Sequence, residues 1–476
     1  MKRMIARKNE VDQLNRLYNS QRSEFVIVYG RRRIGKTYLV NQVFSEKFTF
    51  SFTGARDEPS SVQLQRYARQ LQKFSGSPFA PNLKNWDDAF FQLQALIESR
   101  PKNERKVIFF DEMPWIDTPR SKFISSLEYF WNAWAAQRDD ILFIACGSAT
   151  SWMVNNIIRN RGGLYNRVTA HIYLRPFCLA ECEELLIDLG CDWDRYAILQ
   201  CYMALGGVPF YLSLIDPHQS VAQNIDRLFF HKNASLGQEF NELFNALFVN
   251  ADKYIDIVRA IAMRREGLLR EDIIKQTKIS GGGLSKMLDN LERCDFIETY
   301  ANYKNKSRNT IYRICDPYTL FYFKFIENNK TKDTNYWSAH LNTNQINAWQ
   351  GFSFEMACIT HLQQIKKALG IDGIATSSCA WHKTGTGSDS GAQIDLLIDR
   401  ADRVINICEM KFCQEPYTIT KEYETKLRNK MAIFKQASKT TKALVLTMVT
   451  TYGIALGKHR WIAQSEVTMD DLFQYP

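Results

Sequence analysis

The chain has 476 residues, 45% of them hydrophobic and 24% charged, which is too long for one ordinary core and too apolar for a disordered chain. Two or three globular domains are therefore expected. Its 61 basic and 51 acidic residues leave a net charge of +10, a surplus that favours polyanionic partners such as nucleic acid or nucleotides.

Eleven cysteines are scattered along the chain without a Cys-x-x-Cys pair, a usage that fits buried reduced thiols. The N-terminal MKRMIARKNE lacks the apolar stretch of a signal peptide. No run approaches the roughly 20 apolar residues that span a bilayer. A cytoplasmic protein with no membrane partner is expected.

Residues 1 to about 215 alternate short apolar strands with helical patterns, as α/β domains do. Phe25 to Tyr29, Val107 to Phe110 and Ile141 to Ala145 are apolar on both faces, which suits central parallel strands. The first runs into Gly30-Arg31-Arg32-Arg33-Ile34-Gly35-Lys36-Thr37, with Tyr38 following. This is the G-x-x-x-x-G-K-[ST] pattern between a strand and a helix. Its glycines let backbone N–H groups turn toward phosphate oxygens, and the helix that starts near Lys36 offers its positive end. Lys36 would neutralise the β- and γ-phosphates of ATP, and the Thr37 hydroxyl would ligate Mg²⁺.

The second strand delivers Asp111 and Glu112 at its end. Asp111 is expected to hold the magnesium, and Glu112 to orient or deprotonate the attacking water. At the end of the third strand, Ser148 either senses the γ-phosphate or is a plain turn serine. Arg167 is either a guanidinium for spread phosphoryl charge or half of a surface salt bridge. If it acts in trans, an oligomer is required.

These segments resemble an archaeal and bacterial ATPase family related to the STAND and AAA+ NTPases. The marks are YGRRRIGKT, KVIFFDE, Asn166-Arg167 and Gly207-Val208-Pro209. The resemblance implies that Gly207 and Pro209 touch the adenine. IARKNEVDQL is similar to the family's opening GRxxE box, with Ala6 where glycine is usual and Arg7 as a nucleotide contact. An ATPase domain with a helical lid is expected over residues 1–250.

Residues 251–325 read as helix, helix, turn, helix and hairpin. Tyr254 to Met263 and Leu269 to Thr277 give two helices; Ser280 to Gly283 opens a third, with Leu284, Leu288 and Leu291 on one face. Phe296 to Tyr300 and Ile311 to Ile314 bracket a basic tip with Lys304, Lys306 and Arg308. The segment resembles winged helix-turn-helix domains. Lys286, Arg293 and the tip could meet DNA, or the module could serve as a protein contact. Asp295 stands at a turn where glycine is frequent, and aspartate tolerates left-handed backbone.

A polar linker, Asn328 to Asn335, leads to a third unit over residues 345–476. Gln393 to Ile398 and Val404 to Phe412 read as strands joined by a turn centred near Ala401, which sets Asp395 opposite Ile407 and makes Glu409 its diagonal neighbour. Lys411 follows Glu409 at i+2 and points the same way. Such a set suits metal-assisted phosphodiester hydrolysis, with Asp395 and Glu409 on Mg²⁺ or Mn²⁺ and Lys411 positioning the water. It resembles the PD-(D/E)XK nuclease superfamily, which also implies a metal-ligating role for Glu355 on the helix ahead of the core. Lys426 and Lys430 could approach phosphate.

The expected architecture is thus α/β: a P-loop NTPase with a parallel sheet and helical lid, a winged helix-turn-helix, and a C-terminal α/β restriction-endonuclease-like domain. Two functions fit. One is an ATP-dependent enzyme acting on nucleic acid through a metal-dependent nuclease module. The other is an ATP-driven regulatory switch whose nuclease-like domain binds DNA or protein without cutting.

Overall fold

A computed structural model describes residues 4–159, 162–301, 303, 310–329, 333–383 and 391–476. The chain divides into two compact units, one ending at Pro176 and the other beginning at Phe177.

The first unit is built on five strands: β1 (Glu24–Tyr29), β2 (Phe48–Thr53), β3 (Lys106–Asp111), β4 (Ile141–Gly147) and β5 (Ala170–Tyr173). They pair in the order β2-β3-β4-β1-β5, all parallel. Every residue of β3 and β4 is buried, as continuous apolar runs require when helices cover both faces. Alternation along the strands sorts the core into two layers. Phe25, Ile27, Ile108, Phe110 and Phe143 pack with Trp86, Phe90 and Trp131 on one side. Val26, Val28, Val107, Phe109 and Ile144 pack on the other against Leu14 of helix α1 (Lys8–Tyr18) and Leu39, Val40 and Phe44 of helix α2 (Lys36–Phe44).

Strand β4 lies between β1 and β3. The carboxyl ends of all three therefore stand side by side, where ligands of open α/β sheets bind.

The second unit begins with helices Leu179–Asp188 and Arg195–Leu205 and continues through Ser235–Leu247. Helices Ala251–Ala262, Arg270–Thr277 and Gly281–Arg293 follow, with a small antiparallel sheet of β6 (Leu268–Leu269), β8 (Thr310–Ile314) and β7 (Ile297–Ala301), in that order. Leu284, Leu288 and Leu291 are buried, and Asp295 takes the left-handed conformation at φ 56. Lys304, Lys306 and Arg308 lie outside the described residues, as does part of the Asn328–Asn335 segment.

A mixed sheet completes this unit: β9 (Thr376–Lys383), β10 (Ala392–Arg400), β11 (Val404–Lys411), β12 (Ala443–Thr450) and β13 (Ser465–Thr468). β9, β10 and β11 are antiparallel neighbours, whereas β12 and β13 join parallel to β11. Helix Asn344–Thr360 precedes it in sequence, and helix Lys421–Ser438 lies between β11 and β12. All eleven cysteines are free thiols. Among the described residues, no helix is long and apolar enough to cross a membrane.

Candidate functional site

The loop after β1 turns through positive φ at Gly30 (143), Arg33 (73) and Gly35 (87). Helix α2 starts directly behind it at Lys36, so backbone N–H groups gather at a helix N-terminus. The buried Lys36 ammonium lies inside the curl, where Nζ donates to the Gly30 carbonyl at 3.1 Å and to the Arg31 carbonyl at 2.8 Å. Thr37 Oγ1 sits 3.2 and 3.0 Å from the two carboxylate oxygens of Asp111. The phosphate loop and the acid-bearing strand thus meet across 74 residues of sequence.

Asp111 also accepts the Glu112 backbone N–H at 3.0 Å. Burial, and then the adjacent Glu112 charge, still raise its carboxyl above the ordinary range. Glu112 holds a left-handed φ of 46, an unusual conformation for a non-glycine residue that the surroundings must enforce. Gly54, just past β2, leaves room for this turn. A Cβ there would stand 2.7 Å from the Glu112 carbonyl oxygen and 2.8 Å from Ile116.

Ser148, just past β4, donates its backbone N–H to Glu112 at 3.2 Å, and its hydroxyl lies 3.0 and 2.8 Å from the two carboxylate oxygens. The two readings open at the sequence level, γ-phosphate sensor and plain turn, both omit this contact. Arg7 braces the loop from the N-terminal side. Its guanidinium donates to the Ile34 carbonyl at 3.5 Å and to the Arg175 carbonyl at 2.6 Å. Ala6 and Arg7 both lie in the left-handed region, at φ 57 and 59, a conformation that glycine adopts more readily than either residue.

The remaining expected residues are placed by their own units. Arg31 is fully buried, and Tyr38 is exposed. Arg167 is exposed in the turn ahead of β5, and none of the described hydrogen bonds joins its guanidinium to the loop. Gly207 lies in the second unit, where a Cβ would fall 1.9 Å from the Phe177 carbonyl oxygen and where its own carbonyl accepts the Phe177 N–H at 2.6 Å. Close backbone approach alone therefore requires glycine at this position. Pro209 opens the short helix Pro209–Leu212, a position suited to its missing N–H.

The acids of the mixed sheet are arranged differently from the expectation. Ile407 pairs with Leu397 rather than with Asp395. The turn holds three residues, Ala401 to Arg403, and closes on Arg403 at φ 67, which displaces the register. The pairing of β10 with β9 also shifts between Ile394 and Leu397, around Asp395 itself. Glu409 follows Ile405 and Ile407 onto the face packed against Leu427 and Phe434. It is bonded there by Tyr423 Oη at 2.6 Å, Lys430 Nζ at 2.6 Å and Lys411 Nζ at 2.9 Å. Burial alone would raise its carboxyl, yet Lys430, Lys411 and Tyr423 hold it at about 2. Lys430, expected near phosphate, is thus engaged by Glu409, whereas Lys426 is exposed.

Asp395 accepts from Gln393 Nε2 at 2.8 Å and lines a cavity of about 90 Å³ with Glu355 and Arg265. Burial and the neighbouring Asp395 charge push the Glu355 carboxyl up to about 7, against the opposing pull of its ion-pair partner Arg265. Among the described residues, no group of three or more His, Cys, Asp or Glu is arranged to hold a metal ion. Each of the three expected acids has its own polar partners: Arg265 for Glu355, Gln393 for Asp395, and Lys430, Lys411 and Tyr423 for Glu409. Gly54, Tyr423 and Arg265 escaped the sequence reading. Only Gly54, a glycine directly after an apolar strand, carried a signal.

Several known proteins are similar to this chain. An uncharacterized protein of Methanocaldococcus jannaschii is 24% identical over 324 residues, covering 68% of each chain. An uncharacterized ATP-binding protein of the same organism is 40% identical over 43 residues, 9% of this chain and 73% of its own. Among solved structures, a Walker-type ATPase of Pyrococcus abyssi aligns with a TM-score of 0.49 at 20% identity, covering 68% of this chain and 96% of its own. The ORC2 protein of Aeropyrum pernix aligns with a TM-score of 0.42 at 15% identity, covering 68% and 93%. Residues 4–215, which hold the phosphate loop, Asp111, Glu112 and Ser148, match the family model described as an ATPase domain predominantly from Archaea, and this match supports ATP binding and hydrolysis by that part of the chain.

Proposed function

We propose that the protein is a Mg²⁺-dependent ATPase working as a nucleotide-driven switch, whose C-terminal part binds a partner rather than cutting it. The observation that carries the ATPase half is the contact between the Thr37 hydroxyl and both oxygens of Asp111. Hydroxyl and carboxylate are hard oxygen donors of the kind magnesium takes, so Thr37 and Asp111 are the residues that would hold it. When bound, the ion neutralises phosphate charge.

The remaining work falls to the chain itself. Backbone N–H groups of the loop cradle the phosphates, and Lys36 neutralises their inner oxygens. Glu112, oriented by Ser148, accepts the proton of the attacking water.

Two observations favour the switch over the nuclease. Glu409 and Glu355 are each neutralised by side-chain cations of the protein. Among the described residues, no group of three or more His, Cys, Asp or Glu is arranged to hold a metal ion. Nucleic acid is the partner class that the net charge of +10 supports, and three helices beside a small antiparallel sheet support a winged-helix reading of residues 251–325. Lys286 is exposed on the third helix, while Arg293 is paired with Asp289 at 2.8 Å.

Binding of a fluorescent ATP analogue tests the first half. Lys36→Ala should abolish it, and unchanged binding would refute the phosphate-loop assignment. Incubation of DNA with Mg²⁺ or Mn²⁺ tests the second: cleavage that Glu409→Ala and Lys411→Ala remove would replace the switch by the nuclease.

A further inference from the structure

We infer that Arg265 is a built-in counter-cation, which occupies the acid pair Glu355 and Asp395 in place of a divalent ion and ties the three-helix segment to the mixed sheet. This deepens the switch reading above and rests on it.

Glu355 is 9% exposed on the helix Asn344–Thr360. Its ion-pair partner Arg265 comes from 90 residues earlier, in the turn after the helix Ala251–Ala262. The Arg265 guanidinium also lies 5.6 Å from the centre of the Phe352 ring, one helical turn before Glu355. Asp395 reaches the same cavity from β10, with Tyr300 of β7 and Trp381 of β9 also in its wall.

Glu355 is buried and Asp395 half-buried, and two such neighbouring carboxylates stay ionised together only with a cation beside them; Arg265 supplies one from the chain. The cavity, at about 90 Å³, is roomy enough for water, and a divalent ion bound there would compete with the guanidinium for the same carboxylate oxygens. Because the Arg265 side chain is 50% exposed, it can leave without disturbing the core. Movement of the three-helix segment would thereby expose or cover the acid pair.

Titration of Mn²⁺ into the full chain without nucleotide, read by electron paramagnetic resonance, tests this. Arg265→Ala and Arg265→Gln should bind Mn²⁺ about tenfold or more tightly than the wild type, since a neighbouring positive charge is gone. Adding Glu355→Gln to either variant should erase the gain, and Arg265→Lys should behave as the wild type. Unchanged affinity in both Arg265 variants, or a gain that survives Glu355→Gln, would overturn the proposal. DNA cleavage by the wild type would sink the switch reading separately, and the Mn²⁺ comparison would still decide the role of Arg265.

Discussion

Ser148 grips Glu112 with two donors, a backbone N–H at 3.2 Å and a hydroxyl 3.0 and 2.8 Å from the carboxylate oxygens. The acid expected to activate water is therefore aimed by a residue just past the strand inserted between the phosphate-loop strand and its own. Ser148→Ala should lower kcat for ATP about tenfold while leaving nucleotide affinity near that of the wild type, because the loop and Lys36 are untouched. Ser148→Thr should restore most of the rate. Steady-state turnover alongside equilibrium binding checks both, and an unaltered kcat in Ser148→Ala would remove Ser148 from the mechanism.

Gly54 supports the same acid from the opposite flank. Its missing Cβ leaves room for the Glu112 carbonyl and Ile116, so Gly54→Ala must push the acid turn aside. The expected cost is about 1–3 kcal/mol of stability for overpacking, with a loss of turnover exceeding that of Ser148→Ala. Thermal unfolding and ATPase assays on one preparation measure both. A variant as stable and active as the wild type would show that the turn yields freely.

Glu409 separates a structural from a metal-binding role without any assay of activity. If its charge is present to satisfy Lys430 and Lys411, Glu409→Gln should destabilise the metal-free chain by about 3 kcal/mol, as breaking a buried pair does. Were Glu409 reserved for a metal, the same change would stabilise the metal-free chain by removing a strained active-site charge. Urea unfolding in chelator distinguishes the two.

His361 gives a pH dependence. It is fully buried, with Nε2 accepting the Leu179 N–H at 2.9 Å and Nδ1 2.7 Å from the Ala357 carbonyl. Burial pushes its ring down to about 4, against about 6.5 in the unfolded chain. The unfolded state then binds the extra proton first, so the stability from His361 is complete above pH 6.5 and is lost as pH falls toward 4, by about 3 kcal/mol. Glu355, pushed up to about 7, works in the opposite sense, adding stability as pH falls from 7 toward 4.5. The clean measurement is thus the difference between the wild type and His361→Gln, which should shrink steadily between pH 6.5 and 4. A constant difference would contradict the assignment.

The nucleotide site was legible in the sequence because its chemistry is local. Gly30 to Thr37 must be contiguous to curl around phosphate, and Asp111-Glu112 must end an apolar strand to meet it. Neither requirement depends on how the sheet is ordered. Ser148 was visible as a residue but not as a partner, since the insertion of β4 between β1 and β3 is a long-range fact. The C-terminal hairpin shows the opposite case. Its strands were readable from alternation, but a three-residue turn closing on left-handed Arg403 and a shifted pairing around Asp395 decide which side chains meet. Arg265 left no trace, because nothing in a turn 90 residues upstream marks it as the partner of Glu355.

The brace from Arg7 has a thermodynamic consequence. One guanidinium links the first residues of the chain to Ile34 in the phosphate loop and to Arg175 at the end of the same unit. A nucleotide that stiffens the loop must then also hold the N-terminal segment in place, and by reciprocity that segment must contribute to nucleotide affinity. Proteolytic trimming ahead of α1 should therefore slow when ATP is bound, and a chain so trimmed should release its nucleotide sooner.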